Sequence, residues 1–486
     1  MTRLLTALLS LLFLASWASA AEDVSTWVRS SEDGSRIEER LHSGAPAGPA
    51  DADLTPGWPE PLLRGELLWH RNYTDATYTT AALCLPDGMV AAGTYLNPPK
   101  QAEVVPLAGD GTPAWTYPGT EFYLEASRDG SVIAGVDANS ATLTVTVYCW
   151  TPDSSTTLWS YPISPASRGS FRTVDVSADG STIAVLVSMQ EGSAAARLYL
   201  FQPDSPTPIG VYDGPAGFAR NLSLGADGRY AAFIGLATAY VVDRDAETVR
   251  WSGSMGATND PIAISTDGQY LAYGWTSLRL LQWNGTAYAT AWTVPGAGFS
   301  LFSCAFSEDG STFVAGWCPS SYLQNKVQAY HPASSTPLWT YLYPLASGGY
   351  QDVPYDLSMT PSGDFILVGS WGDQVGLNDE LHLFDRATGT PQWSFDTPGS
   401  VFDADLGVGA NGLHIVSCGK GVHANQTGRG GDLYSLLLPD PSSVEPAAGA
   451  ASGLRLAALP CPFRPGESLR FALEQPGILD AAIFAA

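Results

Sequence analysis

Short alternations of apolar and polar residues recur along the chain, and each pair of them is joined by a turn dipeptide, usually Asp-Gly. The segments FRTVDVSADGSTIAVLV (171–187) and FSCAFSEDGSTFVAG (302–316) show this most clearly. A period of two is typical of half-buried β-strands, and Asp-Gly suits turns that need a positive φ. The pattern therefore predicts eight β-hairpins, with turns at Asp87-Gly88, Asp129-Gly130, Asp179-Gly180, Asp227-Gly228, Asp267-Gly268, Asp309-Gly310, Ser362-Gly363 and Asn411-Gly412.

Two further strands are predicted after most hairpins, which gives a repeat of four strands. The third strand is apolar, as in TAYVVD (238–243), and the fourth usually contains a tryptophan, such as Trp159 or Trp339. The third copy differs, with PIGVYDG (208–214) and no tryptophan. Successive turns lie 40 to 53 residues apart. Four short strands at this period are typical of one blade of a β-propeller.

The two ends of the repeat region complement each other. The last copy has no tryptophan strand, whereas GELLWHRN (65–72), upstream of the first hairpin, places Trp69 where a fourth strand would be. Donating this strand to the last blade would close the ring and remove two exposed sheet edges. We therefore predict an all-β, eight-bladed β-propeller over residues 58–439, closed by an N-terminal strand. A seven-bladed ring is the alternative if one hairpin is an insertion.

The N-terminus has the pattern of a secretory signal. Arg3 precedes an apolar run from Leu4 to Trp17, and Ala18-Ser19-Ala20 supplies a small-x-small cleavage pattern. Residues 1–20 are therefore predicted to be a cleaved signal peptide, followed by a flexible segment over 21–57. No second apolar stretch of about 18 residues follows, so we expect a secreted protein that is soluble or attached to the cell surface, without membrane insertion.

Composition excludes several classes of structure, and net charge excludes one class of partner. The chain has 50 Gly, 35 Pro and 15% charged residues, together with 15 Trp, 21 Tyr and 17 Phe, which excludes a coiled coil, a collagen and a mostly disordered chain. The 23 Lys and Arg residues against 48 Asp and Glu residues give a net charge of −25. Such a surface repels phosphate backbones, so nucleic acid is not expected as a partner.

The six cysteines are too few for a disulfide scaffold in a chain of 486 residues, and none forms a CxxC pair. With a two-residue hairpin turn, Cys304 would face 313–315 rather than Cys318. Cys84 and Cys418 would approach each other if the first and last repeats are neighbours.

Two stretches resemble known families. The hairpins of the form S-x-D-G-x-x-x-A, as in SADGSTIA (177–184), and the segment LHLFDRATGTPQWSF (381–395) resemble the quinoprotein-like and WD-repeat-like propellers of secreted bacterial proteins. The segment 458–484 is similar to the opening of the immunoglobulin-like domain of flagellar hook-capping proteins, relatives of which occur in type IX secretion cargo. The second resemblance implies an incomplete β-sandwich fragment over 458–486, joined to the ring by a linker over 440–457.

No catalytic motif is present in the sequence. The six His residues form no HxH or HExxH pair, and no GxSxG or GxxxxGK occurs. Quinoprotein enzymes resembling this repeat use adjacent cysteines beside a calcium ion and a catalytic Asp. No two cysteines are adjacent here, so the residues argue against the quinone cofactor.

Acidic residues on the first strands of the hairpins are the candidate ligand-binding residues at the channel mouth, because in WD-like propellers these strands line the central channel. They are Glu125, Asp175, Asp352, Asp356, Asp403 and Asp405. Converging carboxylates would suit calcium, but acids tolerated in a wet channel mouth are the favoured interpretation. Aromatic residues near the same strand starts would either stack on a sugar or peptide or fill gaps between blades; they are Tyr78, Phe122, Phe171, Phe218, Phe299, Tyr350 and Phe402.

A complete ring without a catalytic motif predicts a secreted, non-enzymatic binding or scaffolding module for a protein or glycan ligand, with no cofactor. The alternative is a propeller enzyme that uses the channel carboxylates, with or without calcium. Its reaction would be that of a quinoprotein-like dehydrogenase or of a metal-dependent lyase or hydrolase.

Overall fold

In a computed structural model of the protein, the described residues run from 63 to 439 with short gaps. The gaps are 64, 74–77, 87–88, 96–99, 170–171, 191–194, 217, 256–260, 322–323, 345–351, 374–377, 410, 425 and 427–429. The predicted signal peptide, N-terminal segment, linker and C-terminal fragment lie outside the described residues. Within the described residues, no helix is long and apolar enough to cross a membrane.

The described residues form β-strands and no α-helix, and the strands are arranged as eight antiparallel sheets or blades. Blades 1 to 4 contain β2 (Tyr78–Leu85), β3 (Met89–Tyr95), β4 (Gln101–Pro106) and β5 (Trp115–Pro118); β6 (Phe122–Ala126), β7 (Ile133–Asn139), β8 (Thr144–Trp150) and β9 (Trp159–Ile163); β10 (Ala166–Arg168), β11 (Val174–Val176), β12 (Ile183–Met189), β13 (Ala195–Gln202) and β14 (Ser205–Ala216); and β15 (Ala219–Leu224), β16 (Tyr230–Gly235), β17 (Thr238–Asp243) and β18 (Thr248–Ser254).

Blades 5 to 8 follow the same order, and the last one takes its outer strand from the N-terminal side of the chain. They contain β19 (Ile262–Ile264), β20 (Tyr270–Gly274), β21 (Ser277–Trp283) and β22 (Tyr288–Pro295); β23 (Phe299–Phe306), β24 (Phe313–Pro319), β25 (Lys326–Tyr330) and β26 (Trp339–Leu342); β27 (Pro354–Met359), β28 (Phe365–Ser370), β29 (Leu381–Asp385) and β30 (Pro391–Phe395); and β31 (Val401–Gly409), β32 (Gly412–Lys420), β33 (Gly431–Leu438) and β1 (Glu66–Tyr73).

The innermost strands contact one another in a closed cycle, in which β31 of blade 8 packs against β2 of blade 1. The sequence-based prediction of an eight-bladed propeller is thus confirmed, and the seven-bladed alternative is wrong. Apolar side chains fill the spaces between adjacent sheets. The tryptophans of the outer strands add a hydrogen bond, because the indole Nε1 of Trp159, Trp292 and Trp339 each donates to a backbone carbonyl of the next blade at 2.8 Å.

The hairpin turns have the predicted backbone but are longer than two residues in most blades. Gly180 and Gly310 both have a φ of +69°, which a residue with a Cβ adopts at a cost. In blade 6, Phe306 pairs with Phe313, so six residues separate the two strands and the two-residue turn predicted there is wrong. Cys304 nevertheless lies opposite Ala315, within the predicted range.

The predicted closing strand is confirmed. β1 pairs with β33 in antiparallel register, with Trp69 opposite Ser435 and His70 opposite Tyr434. The rings of His70 and Tyr434 stack with centroids 4.3 Å apart, and His70 Nε2 lies 2.7 Å from Asp432 Oδ1. Trp69 Nε1 donates to the Leu107 carbonyl of blade 1 at 2.8 Å. The N-terminal strand therefore joins blade 8 and also contacts blade 1.

The cysteines at this closure do not form a bridge. Cys84 and Cys418 both lie in the apolar cluster between blades 8 and 1, and both are free thiols. Cys84 Sγ is 3.5 Å from the carbonyl oxygen of His414. Cys418 is adjacent to Gly419, whose N–H donates to Thr79 Oγ1. The two cysteines thus lie in one cluster, as expected from neighbouring first and last repeats. Their thiols contact different groups and do not face each other.

Candidate functional site

The innermost strand of each blade has one edge without a neighbouring strand, so its N–H groups there need other acceptors. At three junctions, between blades 3 and 4, 7 and 8, and 8 and 1, carboxylates of the preceding blade supply them. Four of the predicted acids accept such bonds at 2.8 to 2.9 Å: Asp403 from Ala82 N, Asp405 from Cys84 N, Asp356 from Ala404 N and Asp175 from Leu224 N. The first two join blade 8 to blade 1. These acids therefore hold the channel wall together.

Arg172 lies among these acids. Its Nη1 is 3.7 Å from Asp175 Oδ2 and 3.8 Å from Glu125 Oε2, and 42% of its side chain remains exposed. Burial lowers the pKa of the Arg172 guanidinium, but the nearby carboxylates outweigh this effect and raise it. They are those of Asp175, Glu125, Asp356 and Asp403. We call Glu125, Asp175, Asp356, Asp403 and Asp405 the channel carboxylates. The channel carboxylates are thus five of the six predicted acids.

Burial in the channel raises the pKa of Glu125, Asp175, Asp356 and Asp403 and so disfavours their ionised forms. It raises the pKa of Glu125 to about 8, with the neighbouring Asp175 and Asp405 adding to the increase and Arg172 opposing it. Burial, followed by repulsion from Asp356 and Glu125, holds the pKa of Asp403 well above its usual range. Burial and mutual repulsion thus outweigh the attraction of one guanidinium, and Glu125 and Asp403 favour their protonated forms at neutral pH.

Asp352 lies apart from the channel carboxylates. It precedes Pro354, where β27 begins, and its Oδ2 accepts a hydrogen bond from Asn378 Nδ2 at 2.5 Å. Burial, with repulsion from Asp373 and Asp379, raises its pKa to about 7. Since its side chain is fully buried between loops of blade 7, it is not grouped with the other predicted acids.

The end of the channel that carries the Asp-Gly turns, here the turn face, is crossed by one side chain. Arg128, from the turn of blade 2, forms an ion pair with Glu308 of blade 6. Its Nη2 donates to the Met359 carbonyl of blade 7 at 3.2 Å, and its Nη1 to the Leu406 carbonyl of blade 8 at 3.3 Å. Backbone bonds between neighbouring turns, such as Ala178 N to Ala226 O at 2.8 Å, complete this face. Arg128 therefore obstructs the channel here.

The opposite end, where the innermost strands begin, is the channel mouth. A β-bulge recurs there in blades 1, 4, 6, 7 and 8. The extra residue is Thr80 in blade 1, Phe302 in blade 6, Tyr355 in blade 7 and Phe402 in blade 8, and it is one of Arg220 and Asn221 in blade 4. A bulge takes one residue out of the ladder and redirects its side chain. Phe302 and Phe402 are half-buried, whereas the preceding Leu301 and Val401 are buried in the blade core. The bulges thus move aromatic rings out of the space between blades.

Four half-buried rings from blades 7, 8 and 1 form a continuous group, which we call the aromatic arc: Tyr78, Tyr355, Trp371 and Phe402. Phe402 has its centroid 5.2 Å from Tyr78 and 6.1 Å from Tyr355, and Tyr355 is 5.5 Å from Trp371. Trp371 Nε1 is buried without a hydrogen-bond partner among the described residues. Tyr355 and Phe402 directly precede Asp356 and Asp403, so the arc adjoins the channel carboxylates.

The other predicted mouth aromatics have different positions. Phe122 is fully buried against Tyr148 and Trp150 between blades, which confirms gap filling for that ring. Phe299 is half-buried beneath Lys326 Nζ, and Phe218 is 58% exposed. Phe171 and Tyr350 lie outside the described residues.

Several mouth and channel residues were not singled out from the sequence. Arg172, Arg128 and Trp371 are loop residues, and no local pattern places them near the axis. The aromatic–acid pair Tyr355-Asp356, repeated in Phe402-Asp403, is a signal that would have found Tyr355.

The channel carboxylates do not form a metal cage. The oxygens of the four aspartates accept hydrogen bonds from backbone N–H groups, as with both oxygens of Asp405. Among the residues that the structure describes, no three His, Cys, Asp or Glu side chains are placed to hold a metal ion. The donor set therefore does not fit the calcium ion that the sequence left open as an alternative.

Comparisons with known proteins support the fold alone. No family model matches the chain, and no curated protein matches it. Among solved structures, the chain is similar to the WD40-type propeller in the crystal structure of the Saccharomyces cerevisiae Sqt1. The TM-score is 0.57 at 11% sequence identity, over 77% of this chain and 99% of that chain. At this identity, the likeness shows that the chain has a WD40-like β-propeller fold.

Proposed function

We propose that the protein is a secreted, non-enzymatic binding or scaffolding module whose protein or glycan ligand is held at the channel mouth. The observation that carries this proposal is the difference between the two ends of the channel. Arg128 crosses the turn face, whereas bulges at the mouth hold the rings of Tyr355 and Phe402 half-exposed beside the channel. Concave surfaces with aromatic rings and a few polar groups are typical of binding sites.

The channel carboxylates favour binding over catalysis. Asp175, Asp356 and Asp403 each use an oxygen to accept a backbone N–H from the next blade, so these groups are occupied by the wall itself. A general acid or base needs an oxygen within reach of a substrate proton. Glu125 alone among them has a pKa of about 8 and no such backbone bond among the described contacts, and a single carboxylate does not form a catalytic pair.

The binding proposal is tested by screening peptide and glycan panels against the wild-type protein and two variants. We expect ligands whose binding is lost in the Tyr355→Ala/Phe402→Ala mouth variant and kept in the turn-face variant Asp227→Ala. The opposite pattern, or turnover of a quinone-linked electron acceptor or a glycan by the purified protein, would reject it. Secretion is tested separately, by sequencing the mature N-terminus, which we expect to begin at Ala21.

A further inference from the structure

The aromatic arc and the channel carboxylates together define a ligand chemistry. We propose that the mouth takes one cationic group, a guanidinium or an ammonium, presented by a basic side chain of a protein partner. This inference rests on the proposed function and deepens it, since it chooses between a protein and a glycan. It is argued from the rings and from the charge balance of the channel.

The rings provide the first part of a cation site. The faces of Tyr78, Tyr355, Trp371 and Phe402 carry partial negative charge, and a cation within about 6 Å of a ring centroid is attracted to it. The centroids of Phe402 and Trp371 are 6.3 Å apart, and those of Phe402 and Tyr78 are 5.2 Å apart. A single charged group above this arc would therefore lie within range of two or more rings at once.

The charge below the arc provides the second part. Five channel carboxylates face one guanidinium, that of Arg172, since the other nearby guanidinium, Arg128, is paired with Glu308 on the turn face. The thiol of Cys84 borders Asp405, and burial raises its pKa, which keeps it neutral. An entering anion would disfavour ionisation of the carboxylates further, whereas an entering cation would replace their protons and offset the repulsion among them.

Peptides with one central residue are the probes for this proposal. The full chain is titrated calorimetrically with acetyl-Gly-Gly-Arg-Gly-Gly-amide, with its lysine and citrulline versions, and with cellopentaose. Citrulline has nearly the shape of arginine but no charge, and a carbonyl oxygen replaces one of its NH2 groups. We expect the arginine and lysine peptides to bind, and the citrulline peptide to bind at least about tenfold more weakly because cation–π and ionic attraction are lost.

Variants locate the binding. Phe402→Ala and Tyr355→Ala should each weaken arginine-peptide binding about tenfold, while Phe218→Ala, an exposed aromatic on blade 4 outside the arc, should leave it unchanged. Circular dichroism checks that each variant is folded. Binding should also tighten from pH 6 to pH 8.5 and release protons, because a bound cation favours the ionised form of Glu125 and the neighbouring Asp175, Asp356 and Asp403.

The outcomes separate this inference from the proposed function. Equal binding of the citrulline and arginine peptides overturns the cationic ligand, and so does binding of cellopentaose that Phe402→Ala abolishes. In both cases the mouth remains the binding site. No binding by any peptide at about 5 mM also rejects the inference, since even a single ion pair over aromatic rings should be measurable there.

Discussion

Asp403 of blade 8 accepts a hydrogen bond at 2.8 Å from the backbone N–H of Ala82 in blade 1, across 321 residues of sequence. The bond joins the last innermost strand to the first one on the channel side of the ring. On the outer side, β1 and β33 complete the same closure. The ring is therefore sealed at two radii, by a carboxylate inside and by a strand pair outside.

Removing the inner seal should destabilise the fold. Asp403→Ala leaves the Ala82 N–H without its acceptor, which should lower the free energy of unfolding by about 1–3 kcal/mol. Asp403→Asn keeps an acceptor oxygen and should cost less. Urea denaturation measures both, with the exposed Asp153→Ala as control. Equal stability of the alanine and asparagine variants would show that the bond contributes nothing.

The outer seal should matter more. Trp69 is 5% exposed and donates to the carbonyl of Leu107, so Trp69→Ala should cost about 3–5 kcal/mol through lost packing and a lost hydrogen bond. It should also increase aggregation, because a loosened β1 uncovers the edge of β33. Leu67→Ala on the same strand, where the side chain is 46% exposed, is the matched control and should change little. Chemical denaturation and light scattering measure the two effects.

Arg172 should stabilise the ring in a pH-dependent way. It favours the ionised form of Glu125 and Asp175, so Arg172→Met should raise the pKa of these carboxyls further and destabilise the protein while they are ionised. The guanidinium is 42% exposed, so solvent screening limits the loss to about 1 kcal/mol at pH 8.5. The loss should shrink at pH 5. A loss that is constant over this range would indicate a packing role instead.

Asp352 should make the protein less stable as pH rises. Its pKa is raised from 3.8 in the unfolded chain to about 7 by burial, so the folded state keeps a proton that the unfolded state loses. Its contribution is complete below about pH 4 and declines until about pH 7, by on the order of 4 kcal/mol. Asp352→Asn cannot titrate, so its unfolding free energy should fall less over this range. Parallel curves for the two proteins would contradict the raised pKa.

The fold was predictable because its signals are local and repeated. Each Asp-Gly turn specifies a hairpin, and GELLWHRN carries the tryptophan that the last repeat lacks. The site was only partly predictable. Five of the predicted acids do lie on innermost strands beside the channel, but the bonds that four of them form with Ala82, Cys84, Ala404 and Leu224 depend on which blades become neighbours.

Two other features could not be found from alternation. A bulge shifts the strand register by one residue, so a simple period of two misplaces residues such as Phe402. Asp352 resembles a strand residue in the sequence, yet β27 begins only at Pro354, and its partner Asn378 belongs to a distant loop. Arg128 reaches Met359 and Leu406 only because the ring is closed.

The closing strand also has a consequence for biosynthesis. His70 emerges from the ribosome 362 residues before Asp432, its partner in the last blade. At about 5–20 residues per second, this interval lasts roughly 20–70 s. During that time β1 has no partner strand, and its apolar face, including Trp69, is available for wrong contacts. A nascent chain of this protein therefore needs either rapid completion or a chaperone that shields its first strand.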